Sequence, residues 1–308
     1  MNDRDARTAD VASSMRAVRL HPPGGVGSLR LEQVETPRLR DGEALVRVHA
    51  AAITRDELDW PTDRLPAIPS YELSGVVAAL APATDGVSIG DDVYALAGFD
   101  RDGVAAEYAA VPAALLAPKP RTLDHVEAAA LPLAALSAWQ GLFTHGRLAE
   151  GQRVLVTGAT GGVGHLATQL ARGCGAYVLA TATPGSAEYA IELGAHEVLD
   201  GVAAHDALAQ VDLVFDTVGG DTLARSPALV RSGGRVVSVA EEPHATEIES
   251  TYFVVEPDRA QLVELARLVD EGELRPAIDS VFPLEDAQAA FERSLARGKR
   301  GKVVLRIA

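Results

Sequence analysis

The sequence predicts an α/β chain in which a β-barrel-like part is joined to a doubly wound parallel sheet. Three observations predict it. The run VLVTGATGGVGHLATQLA at 154–171 sets an apolar strand, a glycine-rich turn and a helix in direct succession. From residue 153 onward, strand-like and helix-like segments alternate, the order that builds a parallel sheet with helices on its faces. Residues 15–120 read instead as short strands separated by turns, the pattern of a barrel.

The elements follow in order. Apolar and polar residues alternate at 15–20, 28–32 and 43–49, with Pro-Gly-Gly at 23–25 and Asp-Gly at 41–42 as turns between them. Further strands are expected at 73–80 and 92–96. Asp124 is a candidate N-cap for a helix that Pro132 interrupts and that resumes over 137–145. Strands are then expected at 154–157, 176–180, 197–199, 212–216 and 235–239. Helices are expected at 164–173, 186–193 and 221–231. A sixth strand is expected at 251–255. Leu262, Leu265, Ala266 and Val269 share one face of a helix over 258–271 that Gly272 ends. The chain closes as strand, helix and strand at 278–282, 284–296 and 302–307.

Composition bounds the function. A chain of 308 residues has room for about two domains. The net charge of −15 repels nucleic acid and anionic membrane, so neither is an expected partner. The single cysteine, Cys174, excludes an internal disulfide or a cysteine-based metal site and reads as a packing residue. No apolar run reaches the roughly 18 residues of a membrane span. The polar first ten residues read as a lead-in and not as a secretory signal, which makes the cytoplasm the expected location.

The glycine turn carries the chemistry. Its glycines let main chain approach a diphosphate, and the helix that follows offers free N–H groups and the positive end of its dipole. Thr160, Gly161, Gly162, Val163 and Gly164 are therefore the leading cofactor-binding residues. Their place between strand and helix is the context that gives such a motif meaning.

With MRAVRL at 15–20, RVHAAAIT at 47–54, IPSYELSG at 68–75, VSIGDDVY at 87–94, AAALPLAALSAW at 128–139, the glycine turn, and GKVVL at 301–305, the chain resembles the medium-chain dehydrogenase/reductase superfamily. The likeness is to its zinc-free quinone oxidoreductase (zeta-crystallin-like) branch, and it covers nearly everything after Met15. The resemblance implies a GroES-like β-barrel catalytic domain at 15–123 and 275–308. A Rossmann dinucleotide-binding domain is inserted at 124–274, behind a flexible lead-in at 1–14. Where zinc-using members hold metal with Cys, His and Cys, this chain has Thr54, Tyr71 and, by a loose match, Ala134; no metal is expected.

Further site residues follow from the resemblance. The second Rossmann strand ends in LATATPGS at 179–186, without the carboxylate that NAD enzymes place there. Thr181, Thr183 and Ser186 are then candidates for a 2′-phosphate, which favours NADPH over NADH. The basic residue common there in relatives is missing, and Arg235 and Arg300 are candidates to replace it. Asp216 and Val218 end the fourth strand and Val239 the fifth. Phe253 and Val254 match a loop touching the nicotinamide, or else serve packing or a dimer strand. Tyr71 either donates to the substrate oxygen or walls the pocket. Thr54 and Asp56 are alternative donors. Trp60 either stacks on a flat substrate or packs in the core. His165 either reaches the diphosphate or lies in solvent.

The implied activity is NADPH-dependent, zinc-independent hydride transfer to a quinone or an α,β-unsaturated carbonyl. Its substrate is then small, apolar and electron-poor. Alternatives are a biosynthetic reductase of a single intermediate and a non-catalytic NADPH-binding protein. The turn also fits the short-chain dehydrogenase spacing, but none of the six tyrosines has Lys four residues on. An apolar edge strand at 251–255 suggests a homodimer paired through it.

Overall fold

The computed structural model describes residues 11–61, 63–200, 210–244 and 247–308. Residues 1–10 of the expected lead-in lie outside them, and Ser14 already belongs to the first strand. The strands β1 (Ser14–Leu20) and β2 (Leu29–Glu35) form an antiparallel hairpin. They are followed by β3 (Glu43–Ile53), β4 (Glu72–Leu80), β5 (Asp92–Leu96), β6 (Tyr108–Pro112) and β7 (Ala117–Pro118). Sequence reading missed β6 and β7, because alanines and prolines blur their alternation.

Two helices lead out of the barrel. Asp124 caps α1 (His125–Ala129) in a reciprocal box with Glu127. The buried alanines 50 and 52 of β3 let Ala129 and Ala130 pack close against the strand. Pro132 opens α2 (Pro132–Trp139), the position where its missing N–H costs nothing. The expected helical continuation is a π turn, Gln140–His145, in place of regular α-helix. The Phe215 ring fills the space above Gly141, where a Cβ would lie 2.1 Å from it.

The second sheet contains β8 (Arg153–Val156), α3 (Gly164–Gly173), β9 (Tyr177–Ala182), α4 (Ala187–Glu192), β10 (Glu197–Asp200), β11 (Val211–Asp216), α5 (Gly220–Arg225), β12 (Val230–Ser238) and β13 (Glu249–Tyr252). Its strand order is β10-β9-β8-β11-β12-β13, and all pairs are parallel. The order reverses between β8 and β11, and a crevice opens beyond the carboxyl ends of strands at such a point. The helix expected to reach 231 stops at Arg225, and Pro227 sits in the short 3₁₀ turn that follows. The expected strand at 251–255 is shifted earlier. Ser238 faces Tyr252 as the last pair, and the chain leaves the sheet where β12 ends.

The chain then returns to the barrel. After α6 (Arg259–Asp270) come β14 (Ile278–Pro283), α7 (Ala287–Leu295) and β15 (Lys302–Arg306). The barrel sheet runs β14-β15-β3-β4-β5-β7, with β6 also on β3. Strands from both ends of the chain therefore share one sheet, and the parallel sheet lies between them in sequence. No described helix is long and apolar enough to cross a membrane.

Candidate active site

The glycine turn lies at the head of α3, beside the β8–β11 reversal. A Cβ on Gly164 would come within 2.1 Å of the Gly158 carbonyl oxygen, so the turn closes only around glycine there. Thr160 and Gly161 spend their carbonyls on Gly301 N–H at 3.0 Å and His165 N–H at 3.2 Å. Among the described residues, the N–H groups of Gly162 and Val163 have no acceptor. Two free amides at the start of a ten-residue helix form an anion-binding cradle. The residues present therefore fit a diphosphate.

The strand ends around the turn are tied together. The fully buried Asp216 carboxylate accepts from Thr157 Oγ1 at 2.7 Å, Ser238 Oγ at 3.0 Å and Gly219 N at 3.0 Å. Asp216 is thus a clamp across β8, β11 and β12. Thr181 also braces the turn: its hydroxyl accepts Gly158 N–H at 3.0 Å. Val218 is half exposed and overhangs Gly158. Val239 is bonded through its N–H to Asp216 O at 3.1 Å. Phe253 donates its N–H to Ser238 O, its buried ring lies 4.4 Å from His145, and Val254 is exposed.

Thr183 is exposed and bonds Ser186 Oγ at 3.3 Å, in the loop after β9. Arg300 reaches this loop from the barrel side. It donates to Gly185 O at 2.7 Å and lies over the Tyr189 ring at 5.2 Å. Arg235 is elsewhere, against Glu249 and His145 O.

A polar cluster on the barrel side meets the turn. Lys302 and Glu72 form a buried ion pair. Lys302 Nζ also donates to Thr54 Oγ1 at 3.2 Å, and Thr54 donates to Glu72 Oε1 across 3.3 Å. The other Glu72 oxygen accepts Leu133 N–H at 2.9 Å. The Lys302 stem passes Gly162 so closely that a Cβ there would lie 3.3 Å from its Cδ. Glu57, entirely buried, accepts Thr54 N–H at 3.1 Å on Oε2, while Oε1 has no partner among the described residues. Burial holds this carboxyl well above the usual carboxylate range. Asp56 points into solvent.

Tyr71 is fully buried, and its phenol oxygen accepts from Arg64 at 3.1 Å. Its ring lies 5.6 Å from Trp60 and 5.2 Å from Phe99, forming an aromatic wall whose Trp60 is half-buried. Arg64 is pinned in turn by the Phe99 and Arg101 carbonyls.

Comparison with known proteins then places the chain. Residues 40–121 match the alcohol dehydrogenase GroES-like domain family, and residues 193–305 match the zinc-binding dehydrogenase family. A probable zinc-binding oxidoreductase, mitochondrial, of Arthroderma benhamiae is 34% identical over 98% of this chain and 99% of its own. The chain belongs to the medium-chain dehydrogenase/reductase superfamily. An NADPH-dependent alkenal/one oxidoreductase, chloroplastic, of Arabidopsis thaliana is 32% identical over 96% of this chain and 81% of its own. The quinone oxidoreductase structure from Coxiella burnetii superposes with a TM-score of 0.89 at 30% identity, covering 96% of this chain and 100% of that one.

One of the matched families is described as zinc-binding, and the donors here do not fit zinc. Thr54 offers a hydroxyl engaged by Lys302, Tyr71 a phenol engaged by Arg64, and Ala134 nothing. Among the described residues no three His, Cys, Asp or Glu side chains converge as a ligand set. Sequence reading named Thr54 but missed Lys302, Glu57 and Arg64. In the sequence Gly301-Lys302 is only part of the family pattern at 301–305, and nothing local in it announces a partner on β4.

Proposed function

We propose that the protein is an NADPH-dependent, zinc-independent reductase that passes hydride to a quinone or to the β-carbon of an α,β-unsaturated carbonyl. The observation that carries this reading is the free Gly162–Val163 amide pair at the sheet's reversal point, facing a barrel cluster whose side chains do not make a zinc ligand set. The printed activities of the Arabidopsis and Coxiella relatives support it. The cofactor supplies the hydride chemistry, and the protein supplies orientation.

Each group then has a task. Gly162 and Val163 hold the diphosphate. Thr183, Ser186 and the Arg300 guanidinium form the 2′-phosphate site, in a loop free of carboxylates at its start. Thr54 presents its hydroxyl to the substrate oxygen. Its present bond to Glu72 is long, so a substrate oxygen can replace that acceptor. The Lys302 ammonium already fills a lone pair of Thr54, which biases the hydroxyl proton outward toward negative charge forming on substrate. Tyr71, Trp60 and Phe99 wall an apolar, water-poor space for a flat acceptor. Two copies pair along β13, whose Tyr252 and the following Val254 are exposed.

The test is loss of reduced-nicotinamide absorbance across a panel of quinones and enones, with NADPH and NADH in parallel. Turnover is expected with NADPH in preference to NADH. The variant Arg300→Ala should weaken NADPH by about tenfold to a hundredfold, the worth of one or two charge-assisted bonds, and leave NADH unchanged. No oxidation with any acceptor contradicts the reading, and equal loss for both cofactors removes Arg300 from the 2′-phosphate site.

A further inference from the structure

His165 is the second residue of α3, yet it neither faces solvent nor points at the diphosphate cradle. It is fully buried, and both ring nitrogens are engaged. Nε2 lies 3.0 Å from the N–H of Ala277, which has only a proton to offer, so Nε2 is the acceptor. The ring proton therefore sits on Nδ1 and is donated to Gly161 O at 2.9 Å. One imidazole joins the phosphate-binding turn to the segment on which the chain re-enters the barrel.

That link is part of a closed circuit. Ala277 O accepts Lys302 N–H at 2.9 Å, and the neighbouring Gly301 N–H donates to Thr160 O at 3.0 Å. Gly301 has φ 79°, and a Cβ on it would lie 2.0 Å from Ala277 O, so these strands touch at van der Waals limits. The circuit runs Gly161, His165, Ala277, Lys302, Gly301, Thr160 and back along the turn. His165 is its one side-chain member. Beside it, Gln169 exchanges two hydrogen bonds of 3.0 Å with the Arg275 main chain. Lys302 in turn carries the ammonium that holds Thr54 and Glu72.

We propose that His165 is a positioning residue: as the neutral Nδ1–H tautomer it fixes the phosphate-binding turn relative to Lys302 and Thr54, so that grip on the cofactor and alignment of the reacting groups are set by one ring. This rests on the reductase reading given above. Protonation would turn Nε2–H against Ala277 N–H and open the circuit. Burial opposes a second positive charge on the ring, and Lys302, the charge facing it, acts in the same sense. Gln169 and the Gly161 and Ala277 main chain are its neutral neighbours.

Three variants dissect the ring. His165→Gln keeps an acceptor for Ala277, His165→Asn keeps a donor near Gly161, and His165→Phe keeps only bulk. NADPH affinity is read by fluorescence, independently of turnover. His165→Phe is expected to weaken NADPH by about tenfold or more and to lower kcat as well, the loss expected when a buried hydrogen bond is broken. His165→Gln should recover most of both, and His165→Asn little. Protonation of the cofactor's 2′-phosphate lowers affinity in wild type and the Gln variant alike below about pH 6, but between about pH 5 and about 4 wild-type affinity should fall further than that of the Gln variant. Imidazole ¹⁵N resonances should report the proton on Nδ1. The inference is overturned if folded His165→Phe binds and turns over like wild type, if Gln rescues no better than Phe, or if the proton is on Nε2. If wild type binds NADPH but reduces no acceptor, the reductase reading fails while the affinity arms still decide on His165.

Discussion

Glu57, Lys302 and His165 are buried ionisable groups, and each makes stability depend on charge in its own way. Glu57 has a carboxyl raised by burial above its unfolded value. From about pH 4.5 upward, the unfolded chain releases a proton that the native state keeps, so stability falls with rising pH. Glu57→Gln keeps the acceptor for Thr54 N–H and does not titrate. Its Tm should exceed that of wild type near about pH 8, with the gap closing toward about pH 4.5; equal values throughout would show the carboxyl hydrated. His165 is the opposite case. Burial lowers its pKa to about 4, so its contribution is whole above about pH 6.5 and is lost as pH falls toward about 4. A depression of that size corresponds to about 3 kcal/mol. Lys302→Met leaves Glu72 as an uncompensated buried charge, which should cost about 3–5 kcal/mol by denaturant unfolding. A loss below about 1 kcal/mol would contradict the account of this pair.

Among the elements, the β8–turn–α3 unit was legible because every signal in it is local. The apolar strand, the glycines and the helix periodicity stand side by side in the chain. Gly164→Ala tests the turn directly. With a Cβ 2.1 Å from Gly158 O, the turn must open, and NADPH binding should be lost while the far-UV spectrum is kept. Unchanged affinity would separate the cradle from cofactor binding. What sequence did not show is what distant elements bring to the site. Lys302 on β15 meets Glu72 on β4, Arg300 meets the loop after β9, and His165 meets Ala277. Each depends on a crossing that no spacing encodes. Thr181 was legible as a polar residue at the right strand end, but nothing local showed that its hydroxyl also accepts Gly158 N–H and braces the turn. The edge strand β13 was displaced for a related reason: β12 ends at Ser238, and beyond it Phe253 and Val255 pack into the core while Val254 stays exposed.

At the scale of the whole molecule, both ends of the chain build the barrel, and the parallel sheet is inserted between them. The glycine turn thus lies where two sheets meet, braced from the barrel side by 275–302. The overall charge of −15 works against an anionic cofactor, and Lys299 and Arg300 offset it locally. Burial and the neighbouring cations Lys302 and Arg55 lower Lys299 to about 8. Affinity for NADPH should therefore weaken with ionic strength more steeply than affinity for NADH. Pairing through β13 predicts a dimeric mass in solution at micromolar concentration, and a monomer would contradict it. The most direct measurement of the central claim uses NADPH carrying deuterium at the transferable C4 position, with an enone acceptor. The account predicts deuterium on the β-carbon of the product in wild type and none in Gly164→Ala. Absence of transfer in wild type, or equal transfer in the variant, would contradict it.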